Sequence, residues 1–334
     1  MRAGSAHCDD RTIGKGRRPL AATRWRPDDE SMNETYTVGY DGSPQARRAV
    51  MWAAAEAERS GAAVEVVGCY TLPTTITSPW MPIVPYDDAA IRAATTDHVD
   101  AVIDQARQHY PTVEFTPRVI AGSPRTQLVE AAADSTLLVV GSTGAGAVES
   151  WLLGSVAHAA ARTSPCPVVI VPNTEQAAQH NTVVVATDGS DAANDALVWA
   201  IDEADRRDAE LVVVHAWDYP YGTELSSPTV HDLIRVDAAL VLDDAVRRCR
   251  DRGRSPVRGE LVLGPASKAI LDHADGADLV VVGSRGRGGF RSLLFGSVAH
   301  TVVEHAACPV VVIRPAKPGE PQRADREEVA AAGG

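Results

Sequence analysis

Two hydrophobic patterns alternate along the chain. Short unbroken runs of Val, Ile and Leu are followed by segments in which small apolar residues recur at helical spacing. The first run, 36–40, ends at Asp41-Gly-Ser43, and Ser43 is placed to N-cap a helix. Next come a run at 64–70, a longer helix over 98–109, a third strand near 118–121, a helix, and a fourth strand from Leu137. A glycine loop, another helix and a fifth strand, Val168–Val171, complete the series. From residue 182 the same order returns. It has strands at 182–187, 211–217 and 259–263, one from Leu279, and Val310–Ile313, with Ser190 as the matching cap and a long helix over 233–252. In the helix after Ser190, residues Ala193, Ala196, Leu197, Ala200, Ile201 and Ala204 form one apolar face. Strands that are apolar throughout, rather than at every second position, are covered on both faces. The pattern therefore predicts an α/β fold with parallel sheets and helices on both sides. It predicts two tandem open five-stranded sheets, each with a crevice at the carboxyl ends of its strands, where Asp-Gly-Ser and the glycine loop both fall.

The repetition extends to residue identity. Thr37-Val-Gly-Tyr-Asp41-Gly-Ser43 answers to Val184-Val-Ala-Thr-Asp188-Gly-Ser190, and Trp52 to Trp199, at an offset of 147. Leu137-Leu-Val-Val-Gly141 answers to Leu279-Val-Val-Val-Gly283, and Cys166-Pro-Val to Cys308-Pro-Val, at an offset of 142. The first copy thus carries extra residues in its middle, placed in the proline-rich stretch 71–88 opposite 218–229. The expected domains are 35–172 and 182–314, joined by a polar linker at 173–181.

Composition narrows the function classes. The chain has 334 residues, 45% hydrophobic and 23% charged, enough for two cores without disulfides or metals. The formal charge of −12 opposes general binding to nucleic acid or to an anionic membrane. No apolar run is long enough to span a bilayer. Five scattered cysteines without a C-x-x-C pair give neither a disulfide framework nor a zinc pattern, and read as reduced thiols of a cytoplasmic protein. Residues 1–34 carry many basic groups and no hydrophobic signal segment. They read as a disordered basic arm, or as a mis-called extension ahead of a native start at Met32. Residues 315–334, rich in Pro, Glu and Ala, read as a disordered tail.

The candidate chemistry sits in the loops. Gly141-Ser-Thr-Gly144, nine residues, then Gly154-Ser155 is matched by Gly283-Ser-Arg-Gly286, nine residues, then Gly296-Ser297. Phosphate recognition needs unobstructed backbone N–H groups, and glycine allows both close approach and positive φ. Each closing Gly-Ser opens a helix whose N-terminus is a seat for an anion, with Ser155 and Ser297 adding a hydroxyl. The loop is neither a P-loop, which needs Gly-Lys-Ser/Thr, nor a Gly-x-Gly-x-x-Gly fingerprint after the first strand. One such loop alone reads equally as a turn. Two with the same spacing, each between strand and helix, favour ligand binding.

These motifs resemble the universal stress protein family, in its ATP-binding form, across both halves of the chain. The resemblance implies an adenine-nucleotide-binding fold in each half and pairing of the halves through their fifth strands. It puts Asp41 and Asp188 at the adenosine end of the nucleotide, and Cys69 and Ala216 beside the adenine. Gly141, Gly144, Gly154, Ser155, Gly283, Gly286, Gly296 and Ser297 would lie along ribose and phosphates, flanked by Val140, Val156, Val282 and Val298. It implies ATP as the ligand, with magnesium as an optional companion, a role in adaptation to stress, and homodimerisation as a further option. Taken alone, Asp41 and Asp188 also fit simple Asp-Gly turns.

The copies differ in one telling way. The second loop carries Arg285 and Arg287 where the first has Thr143 and Ala145, so tighter ATP binding is expected in the second copy. His158 and His300 lie three residues after the loop serines, but no acid accompanies them and they read as helix-face residues rather than catalytic bases. Cys166 and Cys308 read as packing residues. With no evident general base and no carboxylate set for magnesium, the sequence favours a nucleotide-binding regulator over two alternatives: a slow ATPase or phosphotransferase, and a scaffold that binds no nucleotide.

Overall fold

The computed structural model describes residues 34–71, 87–144, 153–174, 180–219, 228–287 and 295–315. The arm expected at 1–34, the tail at 315–334, the variable stretches 71–88 and 218–229 and the middle of the linker lie wholly or largely outside these residues.

The first lobe runs β1 (Thr35–Tyr40), α1 (Pro44–Ser60), β2 (Ala63–Tyr70), α2 (Asp88–His109), β3 (Phe115–Ala121), α3 (Pro124–Ala131), β4 (Leu137–Gly141), α4 (Ser155–Thr163) and β5 (Val168–Val171). The second repeats it with β6 (Thr182–Ala186), α5 (Asp191–Arg207), β7 (Glu210–Trp217), α6 (Pro228–Arg252), β8 (Val257–Leu263), α7 (Ala266–Ala274), β9 (Leu279–Gly283), α8 (Ser297–His305) and β10 (Val310–Ile313). The predicted caps form: Ser43 Oγ accepts from Ala46 N at 3.1 Å, and Ser190 Oγ from Ala193 N at 3.3 Å.

Two kinds of boundary differ from the sequence expectation. Helix α2 begins at Asp88, not 98, because Asp87 Oδ1 accepts from Ala89 N and Ala90 N, while the buried residues that carry the amphipathic signal start only at Val99. Helix α6 likewise begins at Pro228 rather than 233, and its early turns expose Val230, Leu233 and Val236. Strand β3 begins at Phe115 because Pro117, which masks it in the sequence, is tolerated on an edge strand.

All strands join one sheet in the order β3-β2-β1-β4-β5-β10-β9-β6-β7-β8. Pairing is parallel within each lobe and antiparallel where the lobes meet, with Val169 opposite Val311 in the β5–β10 ladder. The fifth strands therefore pair within the chain. Alternate strand residues point to opposite faces, which splits the interior into two layers. Val38, Val139, Val169, Val185, Val281 and Val311 pack under α1, α2, α5 and α6. Leu138, Ile170, Val184, Val280 and Val312 pack under α3, α4, α7 and α8. Both layers continue across the lobe boundary.

In each lobe the strand order reverses between the first and fourth strands, β1 with β4 and β6 with β9. A parallel sheet opens a crevice at that switch point, outside the carboxyl ends of the strands. Since β5 and β10 run antiparallel, the two crevices face opposite ends of the sheet.

Candidate functional site

Each crevice is built from two loops, after the first and fourth strands of its lobe, and in the second lobe one aspartate holds them together. In the second lobe Asp188 Oδ1 accepts from Ser190 N at 2.9 Å, closing the Asp-Gly-Ser turn, and Gly189 takes φ 73, which only glycine adopts freely. Its other oxygen, Oδ2, accepts from Arg287 N in the glycine loop at 2.6 Å. The first lobe repeats the turn: Asp41 Oδ1 accepts from Ser43 N at 3.0 Å, with Gly42 at φ 83. Asp188 is thus both turn-former and clamp between the loops after β6 and β9, and Asp41 forms the same turn.

The glycine loop is anchored at each end. Ser284 N donates to Ile313 O at 2.7 Å and extends the β9–β10 register, and Gly296 N donates back to Ser284 O at 2.8 Å as helix α8 starts. Ser142 N to Val171 O and Gly154 N to Ser142 O, at 2.8 and 2.7 Å, do the same in the first lobe. The loop glycines serve close approach, not positive φ. A Cβ on Gly283 would meet the Ala192 backbone at 2.8 Å and one on Gly141 the backbone of Gln45 at 3.0 Å. A Cβ on Gly144 would lie 2.6 Å from Asp41 Oδ2, and one on Gly286 would collide with Asp188 Oδ2. Positive φ belongs instead to Gly42 and Gly189 of the neighbouring turns. The N-caps of α4 and α8, Gly154 and Gly296, bring no side-chain acceptor, which leaves first-turn N–H groups for another partner.

In the second lobe these parts enclose a cleft of about 450 Å³. Asp188, Ala216, Val282, Gly283, Arg285, Gly286, Arg287, Gly296, Ser297 and Val298, every residue singled out in that copy, line it together. The sequence reading missed Ala186, Thr187, Ala193 and Val214 from the elements around β6 and β7, and Ala266 and Ile270 from α7. Apart from Thr187, their signal is that of ordinary core apolars, so nothing in the pattern separates them from packing. The lining combines apolar side chains (Val214, Ala216, Ile270) with two guanidiniums and glycine backbone. Among the described residues, buried Arg285 Nε has no hydrogen-bond partner, and neither has the buried hydroxyl of the neighbouring Ser284. Buried unpaired donors are costly, and an anion reaching Arg285 would relieve that cost.

In the first lobe Asp41, Val140, Gly141, Gly144, Gly154, Ser155 and Val156 occupy the equivalent places on or beside β1, β4 and α4, and among the described residues the buried Thr143 Oγ1 has no partner where the second lobe has Arg285. Cys69, near the end of β2, is partly buried, and burial pushes its thiol up to about 11, so it stays protonated at neutral pH.

His158 and His300 meet across the lobe boundary, ring centroids 6.0 Å apart, with Phe295 against both. Neither pairs with a loop serine; His300 Nδ1 lies 3.0 Å from Glu304 Oε2. Among the described residues no helix is long and apolar enough to cross a membrane.

Comparison with known proteins agrees with this architecture. The model of the Universal stress protein family matches residues 32–172 and again 180–314. Universal stress protein Rv2623 of Mycobacterium tuberculosis is 33% identical over 293 residues, spanning 83% of this chain and 95% of that relative. Universal stress protein Rv1996 of the same organism is 32% identical over 319 residues, spanning 87% and 99%. The crystal structure of a universal stress protein from Archaeoglobus fulgidus superposes with a TM-score of 0.60 at 21% identity, covering 84% of this chain and 98% of that one. A likeness at that identity bears on the fold alone.

Proposed function

Because this chain belongs to the universal stress protein family, we propose that it binds adenine nucleotide, ATP foremost, in its glycine-loop clefts and acts as a nucleotide-dependent regulator in a stress response. The observation that carries this reading is the second-lobe cleft with its buried Arg285 Nε, which has no hydrogen-bond partner among the described residues. Its volume lies within the roughly 300–1,000 Å³ typical of small-molecule sites. The adenine fits against the apolar Val214, Ala216 and Ile270. The phosphates fit against the backbone N–H groups of the loop and the start of α8, with Arg285 and Arg287 supplying the opposing charge. In this lobe Asp188 acts chiefly by holding the two loops at the spacing the ligand needs.

Regulation follows from the same clamp. A ligand changes a protein's partners only if it favours one conformation over another. A triphosphate that bridges the glycine loop and α8 would favour the clamped form of a loop otherwise tied to the sheet at its ends.

Isothermal titration of ATP into the parent and into Arg285→Ala/Arg287→Ala tests the reading. Each lost charge-assisted hydrogen bond costs about 1.5–3 kcal/mol, so the variant is expected to bind at least about tenfold more weakly. Equal affinity in the two proteins would contradict it.

A further inference from the structure

A second cavity, of about 540 Å³, lies where the lobes join, beneath α1 and away from both glycine loops. Its floor belongs to both lobes: the end of β5 at Val171 and Pro172, and the approach to β10 at Ala307 and Pro309. One wall is helix α1, which presents two rows at four-residue spacing, Arg47-Met51-Ala55-Arg59 and Arg48-Trp52. Tyr110 closes the side.

The charge in this cavity is unusual for a chain of net charge −12. Four arginines line it, against one carboxylate, Asp278, whose two oxygens already accept from His180 N and Thr182 N at 2.9 Å. Two of the arginines have glutamate partners within the protein. Arg207 pairs with Glu56 and Glu203, lying over the Trp52 ring at 5.9 Å, and Arg59 pairs with Glu56. Arg47 and Arg48 do not: among the described residues neither has a carboxylate partner, and Arg48 donates only to the neutral Asn173 Oδ1, at 2.6 Å.

The duplication supplies an internal control. At the offset of 147, Arg47 and Arg48 correspond to Asn194 and Asp195 in the second lobe, and Ala55 to Asp202. Pro172, on the cavity floor, corresponds to Arg314, which donates to Ser164 O at 2.8 Å. The matching α5 positions thus carry neutral or acidic groups where α1 carries two arginines, and one of them, Asp202, is paired with Arg252. A merely solvated face gives no reason for the open cavity and the paired guanidiniums to fall on the same side.

We propose that this inter-lobe cavity is a binding site for a small organic anion, distinct from the glycine-loop clefts. An acidic group (carboxylate, sulfonate or phosphate) sits between Arg47 and Arg48, and a flat apolar body lies against Met51, Trp52, Ala55 and Tyr110. The cavity volume suits a ligand of that size. Because its floor comes from both lobes, the ligand would brace the junction between them.

The probe is 8-anilinonaphthalene-1-sulfonate, which combines a sulfonate with fused and single rings. Fluorescence titration of the full chain is expected to show a saturable phase whose dissociation constant rises at least about tenfold in Arg47→Ala/Arg48→Ala, as for loss of charge-assisted bonds. Arg48→Asp, which installs the second lobe's residue, should remove the phase. Gly286→Val, which obstructs the glycine-loop cleft, should leave it in place. Circular dichroism of each variant checks that the fold is kept; Arg47 is exposed and Arg48 half-buried. An unchanged dissociation constant in both arginine variants would overturn the proposal. So would loss of the phase in Gly286→Val alone, which would assign the probe to the glycine-loop cleft.

Discussion

At the scale of single residues, the two kinds of glycine make separable predictions. Gly286 gives Asp188 room to reach the loop backbone, since a Cβ there would collide with Oδ2. Gly286→Ala is expected to break that clamp and to abolish ATP binding in the second-lobe cleft with little change in circular dichroism. Wild-type affinity in a folded variant would contradict the clamp. Gly189→Ala acts differently: its φ of 73 is left-handed, so an L side chain costs about 1–2 kcal/mol. A lowered Tm is the expected outcome there, and an unchanged thermal melt would show that the turn bears no strain. The spacing of these glycines was legible in the sequence, because a loop cradling an anion needs bare backbone at fixed intervals. Which glycine serves approach and which serves φ was not legible, since both needs select the same residue. The burial of Arg285 Nε was also hidden, because burial depends on how the loop folds onto β6 and α5. Ala266 and Ile270 escaped notice because an apolar residue on α7 looks the same whether it faces the core or a ligand.

Among the elements, helices α1 and α5 carry a second consequence of the duplication. Glu56 and Glu203, separated by the same offset of 147, are both buried and meet across the lobe boundary, surrounded by Arg59, Arg206 and Arg207. Burial and the neighbouring Glu203 carboxylate push Glu56 up to about 7. Burial pushes Glu203 up as well, but Arg207 and Arg206 outweigh it and hold that group below its ordinary value. The pair therefore keeps one proton where two separate carboxylates would keep none. Between the ordinary value of 4.5 and about 7, folded Glu56 holds a proton that the unfolded chain has released. Fewer protons are bound in the unfolded state, so stability falls as pH rises through that window. Glu56→Gln, which mimics the protonated form, is expected to stabilise the protein at pH 8 by about 1–3 kcal/mol and to change little near pH 4.5, as thermal melts at the two pH values would show. Destabilisation at pH 8 would mean that the ionised Glu56 pairs favourably with Arg207. The matching positions of the two acids are visible in the sequence. Their contact is not, because no local pattern states that α1 and α5 pack against each other. The early turns of α2 and α6 escaped for a related reason, since helical periodicity reports the buried half of a helix and these turns are exposed.

For the whole molecule, the continuous sheet makes the two lobes one structural unit. Val169 and Val171 of the first lobe share a buried layer with Val311 and Ile313 of the second, and the β5–β10 ladder joins them by backbone hydrogen bonds. Scanning calorimetry is expected to show a single cooperative transition, and two resolved transitions would mean that the lobes fold independently. The family of the chain and the tandem fold were legible from the repeated motifs, because unbroken Val and Ile runs and a twice-repeated loop leave few alternatives. The inter-lobe cavity was not, because its walls come from segments far apart in the chain. What unites the scales is the claim that the glycine-loop clefts hold ATP. The most direct measurement is to incubate the purified full chain with ATP, remove free ligand by rapid gel filtration, denature the protein and quantify released adenine nucleotide by chromatography. Stoichiometric adenine nucleotide co-eluting with the parent, and strongly reduced with Gly286→Ala, is the expected result. A parent protein that carries none through the column and shows no ATP binding at equilibrium would contradict the claim.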